Sequence, residues 1–257
     1  MISTSPDSNR WFVCPQMRPE AETRLFLFPY AGGGPTVFNQ WVPELPDDVE
    51  PRIVHYPGRG SRHREASITQ ITALAENLSQ AIPPLLDKPF VFFGHSLGAL
   101  IAFELTRQLR QQNFPQPQIL FISACGAPHL PDPHSPIHTL SDGDFLASLQ
   151  ELNGIPAALL HQSEVMQVLL PILRADFQAM ETYTYVRAES PLPCPILAFG
   201  GLDDPRLSRE RLEGWALHTS SGFKSQYFAG DHFFINTART SVIASIAAEL
   251  TSSYAKY

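Results

Sequence analysis

The residues best able to do covalent chemistry lie in a short run bounded by two glycines, Gly94-His95-Ser96-Leu97-Gly98. The apolar run Phe90–Phe93 precedes it, and a helical pattern follows it. A G-x-S-x-G run between a strand and a helix is typical of a serine held in a sharp, strained turn that presents its hydroxyl above a sheet. The residues two before and two after such a serine come so close that larger side chains would collide, which explains Gly94 and Gly98.

A nucleophilic serine also needs a base that takes its proton and an acid that orients the base. In this kind of site they follow in the order serine, acid, histidine. The run Gly200-Gly201-Leu202-Asp203-Asp204-Pro205 comes after an apolar segment and offers the acid. We favour Asp204, which directly precedes the proline, whereas Asp203 fits if the turn starts at the first glycine. Gly230-Asp231-His232-Phe233 follows the next strand-like segment and offers His232 as the base.

The chemistry further requires an oxyanion hole, two backbone N–H groups aimed at the charge that develops on a carbonyl oxygen. Leu97, the residue after the serine, supplies one of them in this pattern. The run Phe28-Pro29-Tyr30-Ala31-Gly32-Gly33-Gly34 fits the second, because glycines let main-chain amides approach a substrate. We expect Ala31 to be the donor, with Tyr30 as the second choice. A phosphate-binding interpretation is weaker, since neither G-x-G-x-x-G nor G-K-[ST] occurs there.

Strand-like segments alternate with helical ones along most of the chain. Several of the strand-like segments are apolar throughout, which is typical of strands covered on both faces, as in a parallel sheet. Helical stripes at 67–86 and 97–112 lie between them. The alternation predicts an α/β fold with a mostly parallel central sheet flanked by helices, in a single domain over residues 1–257. The predicted strands are Arg24–Pro29, Pro51–Tyr56, Phe90–Phe93, Gln118–Ser123, Ile196–Phe199 and Lys224–Phe228.

A stretch of about 128–193 interrupts this alternation with a proline-rich start and then helical segments only. The first helix should begin near Ser141, and the second, at about 163–174, should be kinked by Pro171, before a third continues through Tyr183. Such an insertion is typical of a lid over an active site, although a purely structural subdomain remains the alternative. Apolar side chains expected to line the pocket beneath it are Met166, Leu169, Leu173, Phe177 and Met180.

The composition excludes several classes of protein. With 18 basic and 25 acidic residues, a net charge of −7, the chain of 257 residues lacks the positive surface of a nucleic-acid binder. The longest apolar segments, such as Ile119–Ala127, are too short to span a membrane, and the N-terminal residues lack the apolar core of a signal peptide. The three cysteines, Cys14, Cys125 and Cys194, have no metal-ligand spacing, and together these features predict a cytoplasmic protein with reduced thiols.

Taken together, these motifs resemble the type II thioesterases of nonribosomal peptide and polyketide synthesis, which are α/β-hydrolases. The resemblance runs from Leu25 to about Leu250 and rests on F-P-Y-A-G-G, Y-P-G-R-G-S-R, F-G-H-S-L-G-A, G-G-L-D-D-P and G-D-H-F-F. It implies an α/β-hydrolase with a helical lid that hydrolyses acyl or aminoacyl thioesters on the phosphopantetheine arm of acyl or peptidyl carrier proteins, clearing stalled synthase modules. By position, Ser96 is then the nucleophile, Asp204 the acid and His232 the base. The resemblance also implies a monomer.

Two further groups of side chains invite a functional interpretation. The basic residues Arg59, Arg62 and Arg64, after the second predicted strand, could receive an acidic carrier or its phosphate; equally, they could be solvated and pair with nearby acids such as Glu65. Three histidines in the proline-rich segment lack cysteine or carboxylate support at suitable spacing, so we expect no metal site. They are His129, His134 and His138. Serine chemistry of this kind needs no cofactor.

Other functions are compatible with the same residues. A carboxylesterase or lipase would use the same serine, acid and histidine, and relative rates on thioesters and oxygen esters would separate them. A hydrolase-fold protein that only binds would not need all three of these side chains. A cyclising release domain would instead yield a macrocycle rather than a linear acid.

Overall fold

The computed structural model describes residues 8–151, 163–187 and 190–254. Within these residues seven strands form one sheet, and the short first strand is the only one of them that runs antiparallel to its neighbour. Its order is first, third, second, fourth, fifth, sixth and seventh strand. The strands are β1 (Phe12–Val13), β2 (Thr23–Phe28), β3 (Val49–Val54), β4 (Phe90–His95), β5 (Leu120–Ser123), β6 (Ile196–Gly201) and β7 (Phe223–Phe228).

Helices cover both faces of this sheet because successive side chains of a strand point to opposite sides. On one face Phe26 and Phe28 of β2 pack with the helices Ile71–Ala81 and Leu97–Gln111, and on the other Leu25 and Leu27 pack with the helix Arg239–Tyr254. The described helices are α1 (Ser8–Trp11), α2 (Ile71–Ala81), α3 (Leu97–Gln111), α4 (Asp142–Glu151), α5 (Ser163–Glu181), α6 (Arg209–Glu213), α7 (Phe234–Thr237) and α8 (Arg239–Tyr254). Short 3-10 turns lie at Pro35–Phe38, Val42–Glu44, Gly60–Arg62, Pro83–Leu85 and Gly214–His218.

The predicted mostly parallel α/β sheet is confirmed, and each predicted strand overlaps an observed one. Every residue of β2, β4, β5 and β6 is buried, in agreement with their runs of apolar side chains. β1 was not predicted, because two residues carry no usable periodicity; it forms by pairing with β3 at the edge. None of the helices within the described residues is long and apolar enough to cross a membrane.

The predicted helical insertion lies between β5 and β6, where α4 and α5 are described. The prediction of separate second and third helices around Pro171 was wrong, because α5 continues through the proline to Glu181. A proline inside a helix removes one backbone hydrogen bond. The side chains of Met166, Leu173 and Phe177, which lie on both sides of the proline, are buried in one apolar cluster. That shared burial offsets the lost bond.

The turn between β4 and α3 brings two stretches of backbone into very close approach. A Cβ placed on Gly98 would lie 2.1 Å from the Phe28 carbonyl oxygen, and one on Gly94 would lie 2.3 Å from the Gly98 carbonyl oxygen. Neither obstacle is a flexible side chain, so only glycine fits at either position. The start of α3 is therefore held directly against the end of β2.

We expect Gly98→Ala to lower the free energy of unfolding by about 3 kcal/mol, because the methyl group would collide with the backbone of β2. Gly143→Ala in α4 is the matched control, since the nearest atom to a Cβ there is the Ser141 Oγ at 4.0 Å; it should change stability by less than about 1 kcal/mol. Urea unfolding followed by circular dichroism measures both. Equal stabilities of the two variants would contradict this account.

Candidate active site

Ser96 occupies the turn between β4 and α3 in a conformation that few non-glycine residues adopt. Its φ is 53° and its ψ is −115°, in a region where a side chain meets its own backbone. The Ser96 N–H donates to the Ser123 carbonyl oxygen at 2.8 Å, which ties the turn to the end of β5. The serine also lines the large cavity described below. The sequence prediction of a strained serine turn agrees with this geometry.

His232 and Asp204 form a hydrogen-bonded pair at the same edge of the sheet. The His232 Nδ1 lies 2.8 Å from the Asp204 Oδ2; the side chain of the aspartate is fully buried, and that of the histidine is 17% exposed. Asp203, the other acid that the sequence left open, is exposed, and its backbone N–H donates to the Gly230 carbonyl oxygen. The structure therefore brings Asp204, not Asp203, to the histidine.

The loops that carry these two side chains meet because Gly201, the last residue of β6, has no side chain. A Cβ on Gly201 would lie 2.3 Å from the Asp231 carbonyl oxygen, so a glycine is needed there for the loops to touch. The Asp231 carboxylate accepts the Phe233 N–H at 2.8 Å. This bond closes a small turn around His232.

The environment of Asp204 favours its ionised form. Burial by itself raises the pKa of the carboxyl, but the hydrogen bond and charge of His232, together with the Arg206 backbone N–H, lower that pKa below its usual value. A carboxylate only accepts hydrogen bonds, so the His232 Nδ1 carries the proton and donates it to the bond. In the neutral imidazole, Nε2 is then left as a lone-pair acceptor, the state required of a general base.

His95, next to the serine, has a structural role. It is completely buried, its Nδ1 lies 2.9 Å from the Ser123 Oγ, and its ring centroid lies 5.4 Å from that of His232. Burial, reinforced by the nearby His232, holds the pKa of His95 well below its usual value. His95 therefore stays neutral and adds no second positive charge beside the base.

The backbone segments that carry the two predicted oxyanion donors, Ala31 and Leu97, lie against each other. The contact of Gly98 with the Phe28 and Pro29 carbonyls places the glycine-rich turn after β2 beside the start of α3. Within the described part of the chain, the N–H groups of Ala31 and Leu97 have no hydrogen-bond acceptor. Ala31 also lines the cavity. Both predicted donors therefore lie on segments that meet at the serine.

A cavity of about 880 Å³ opens beside the serine and the histidine. Of the five side chains predicted to line it, Leu173, Phe177 and Met180 do so. Met166 and Leu169 are not among the described side chains that line it and pack in the apolar cluster that α5 forms with α4. All five lie on one stripe of α5, but only its C-terminal half extends over the cavity.

A second part of the cavity lining was not predicted from the sequence. It consists of the segment after β5, including Cys125 and Asp132, and of Arg206 and Arg211 from the segment after β6. The Asp132 carboxylate lies 3.8 Å from the Arg206 Nη2 and 3.6 Å from the Arg211 Nη1. The cavity lining therefore combines apolar side chains with a cluster of charged ones. Because carboxyl ends of parallel strands share one edge, this lining was in principle predictable from the strand positions.

Two of the three arginines expected to receive a carrier do not face solvent. Arg59 is buried against Asp176 of α5, with its Nη1 2.6 Å from Oδ2. Arg62 is buried beside the Trp11 ring and pairs with Glu65, whose pKa this hydrogen bond lowers to about 2. The docking expectation is therefore wrong for Arg59 and Arg62, because packing of the loop against the fold turns both guanidinium groups inward.

The three histidines of the proline-rich segment each contact a different side chain. His129 Nδ1 lies 2.8 Å from the His218 Nε2, and His134 Nδ1 lies 2.8 Å from the Asp132 Oδ1. His138 bonds the Glu181 carboxylate. Among the residues that the structure describes, no group of three or more histidine, cysteine or acidic side chains is arranged to hold a metal.

Comparison with known proteins assigns the chain to a family. The model of the thioesterase domain matches residues 23–250. The gramicidin S biosynthesis protein GrsT of Aneurinibacillus migulanus is 39% identical over 94% of this chain and 94% of its own length. A Brevibacillus parabrevis protein named linear gramicidin dehydrogenase LgrE is 42% identical over 98% of this chain and 97% of its own.

A solved structure agrees with the family match over nearly the whole chain. The type II thioesterase BorB from the borrelidin biosynthetic cluster superposes with a TM-score of 0.85 at 32% identity, covering 93% of this chain and 97% of its own. The sheet order, the strained serine turn and the family model therefore point to the same group of enzymes. This chain belongs to the thioesterase family and is a serine hydrolase with the α/β-hydrolase fold.

Proposed function

We propose that the enzyme hydrolyses acyl or aminoacyl thioesters on the phosphopantetheine arm of acyl or peptidyl carrier proteins, with Ser96, His232 and Asp204 as its catalytic triad. The observation that supports this most is the buried Asp204–His232 pair, 2.8 Å between Oδ2 and Nδ1, at the cavity that also contains Ser96. The function is the removal of acyl groups that stall a nonribosomal peptide or polyketide synthase.

The proposed reaction has two halves. The His232 Nε2 takes the proton of the Ser96 hydroxyl as its oxygen attacks the thioester carbonyl carbon, and Asp204 stabilises the resulting imidazolium. The N–H groups of Leu97 and Ala31 hold the oxyanion, which then collapses, and the leaving thiolate receives the proton from His232. A water molecule, deprotonated by the same histidine, attacks the acyl-serine ester and releases the acid, and the proton returns to Ser96.

The relatives support a place beside a carrier-dependent synthase. BorB is described as a type II thioesterase of a biosynthetic cluster, and GrsT as a protein of gramicidin S biosynthesis. Helices α4 and α5 act as the lid in this proposal, since Leu173, Phe177 and Met180 line the cavity from above Ser96. A monomeric enzyme in the cytoplasm completes the proposal, as expected from the sequence.

The rival activities use the same residues and differ in the substrate. A carboxylesterase would cleave oxygen esters with equal ease, and a cyclising domain would transfer the acyl group to a nucleophile within the acyl chain. The Asp204–His232 bond argues against a protein that only binds, because a binder gains nothing from an oriented base.

Ser96→Ala should abolish hydrolysis of an acyl group carried on a phosphopantetheinylated carrier protein, because no other nucleophile replaces the hydroxyl. For the parent enzyme, kcat/KM should be at least about tenfold higher for this thioester than for the nitrophenyl ester of the same acid. A tenfold ratio corresponds to about 1.4 kcal/mol of additional transition-state stabilisation. Thiol release and product mass spectrometry measure both. Preference for the oxygen ester would favour the carboxylesterase, and a macrocyclic product the cyclising domain.

Asp204→Asn should lower kcat by about 10⁴-fold, the size of effect known for the same change in a serine protease triad, because the amide favours the wrong tautomer of His232. Asp203→Asn is the matched control, since this neighbouring carboxylate is exposed, and it should leave kcat within about twofold. Steady-state kinetics on a free acyl thioester suffice. A larger loss for Asp203→Asn would reassign the acid.

Arg64 is the remaining residue of the basic loop for carrier docking, because its side chain is exposed. Arg64→Glu should raise KM for the carrier-bound thioester about three- to tenfold through charge repulsion, with no change for the N-acetylcysteamine thioester of the same acid. Arg209→Glu, an exposed arginine over Tyr227 at the opposite edge of the sheet, is the control. Equal loss on both substrates would rule out docking by Arg64.

A further inference from the structure

A carboxylate of the lid helix is bonded directly to the glycine-rich turn after β2. The Asp176 Oδ2 accepts the Gly32 N–H at 2.7 Å and the Arg59 Nη1 at 2.6 Å, while its Oδ1 accepts the Arg59 Nη2 at 2.7 Å. The same Arg59 Nη1 donates to the Gly33 carbonyl oxygen at 3.1 Å. The triad does not use this cluster.

The cluster holds the peptide groups on either side of Ala31. The Gly33 N–H donates to the Tyr30 carbonyl oxygen at 2.9 Å, and in a planar trans peptide this fixes the Ala31 N–H in the opposite direction. On the other side, the bond from Gly32 to Asp176 fixes the Ala31 carbonyl in the same way. Both backbone torsions of Ala31 are therefore set by these two bonds.

The turn needs an external restraint because its own residues supply little. Gly32 has a φ of +75°, and three glycines in succession can rotate their peptide groups at low cost. Packing assists from the same helix, since a Cβ on Gly32 would lie 2.5 Å from the Leu173 Cδ2. The lid helix thus contacts the turn through both an apolar and a charged side chain.

Arg59 compensates the negative charge of the buried Asp176 carboxylate. The side chain of Asp176 is 1% exposed and that of Arg59 is 6% exposed, and a carboxylate at such a site is costly unless it is paired and fully hydrogen-bonded. The bidentate pairing supplies two donors, and Gly32 supplies a third. A planar, permanently charged guanidinium meets this geometry better than an ammonium group would.

We propose that Asp176 is a positioning residue for the oxyanion hole: from the lid helix it fixes the Gly32 peptide, with Arg59 as its counter-charge, and so aims the Ala31 N–H at the developing oxyanion. This inference rests on the proposed function, in which Ala31 is a donor. The lid helix then contributes to the rate of the reaction, not only to the shape of the cavity.

Asp176→Asn tests the proposal on the full-length enzyme. An amide has one acceptor oxygen and cannot serve Gly32 and both Arg59 nitrogens at once, so kcat should fall about 10- to 100-fold, somewhat less than on losing an oxyanion donor outright. KM should change less than about threefold. Affinity for an alkyl boronic acid, which forms a tetrahedral adduct on Ser96, should fall in parallel with kcat/KM. Arg59→Lys, which keeps the charge, should lose less.

Glu50→Gln is the matched control. The Glu50 side chain, near the start of β3, is 3% exposed and pairs at 2.7 Å with the buried Arg24, near the start of β2. This pair lies at the opposite end of the strands from the site. The substitution should lower the melting temperature but leave kcat and boronate affinity within about twofold. Losses for Asp176→Asn no larger than those of the control would overturn the inference while the parent stays active. A parent without Ser96-dependent hydrolysis would overturn the proposed function as well.

Discussion

The close approach of backbone at the serine turn is the constraint on which the site depends. Ser96 has a positive φ, and hydrogen alone fits as the side chain at Gly94 and Gly98. Because Gly98 lies against the Phe28 and Pro29 carbonyls, the start of α3 and the end of β2 cannot separate. The turn that carries Ala31 follows within two residues of that contact. One contact between backbone segments thus positions the proposed nucleophile and both proposed oxyanion donors.

Two buried carboxylates, Asp204 and Asp176, lie at the site, and their different partners suit them to different roles. Asp204 pairs with an imidazole, a group that can act as a general base. Asp176 pairs with a guanidinium, which does not lose its proton under any ordinary condition. The first pair can therefore take part in proton transfer, whereas the second can only hold geometry. With similar burial, we propose a catalytic role for Asp204 and a positioning role for Asp176.

The sequence predicted the parts of this arrangement that are local. Short sequence motifs predicted a serine between two glycines at a strand–helix turn, and an acid and a histidine just after later strands. These residues were expected to meet because the carboxyl ends of parallel strands share one edge of a sheet. Asp176 lies 117 residues from Arg59, and no local pattern connects them. For the same reason the inward turn of Arg59 and Arg62 was missed: burial of a long basic side chain depends on which distant element covers it.

Helix α5 combines a feature that the local sequence shows with a contact that it does not show. Its apolar stripe was visible in the sequence, and a helix needs only that stripe to cover a cavity. Apolar packing alone could hold this helix against the fold. A buried carboxylate at Asp176 therefore lowers stability without need, unless its pairing serves another purpose. Here the pairing reaches the peptide group beside a proposed oxyanion donor. A lid helix that needs only to exclude water would have no use for a carboxylate at this place, and that mismatch is the strongest physical argument that the lid and the catalytic turn act together.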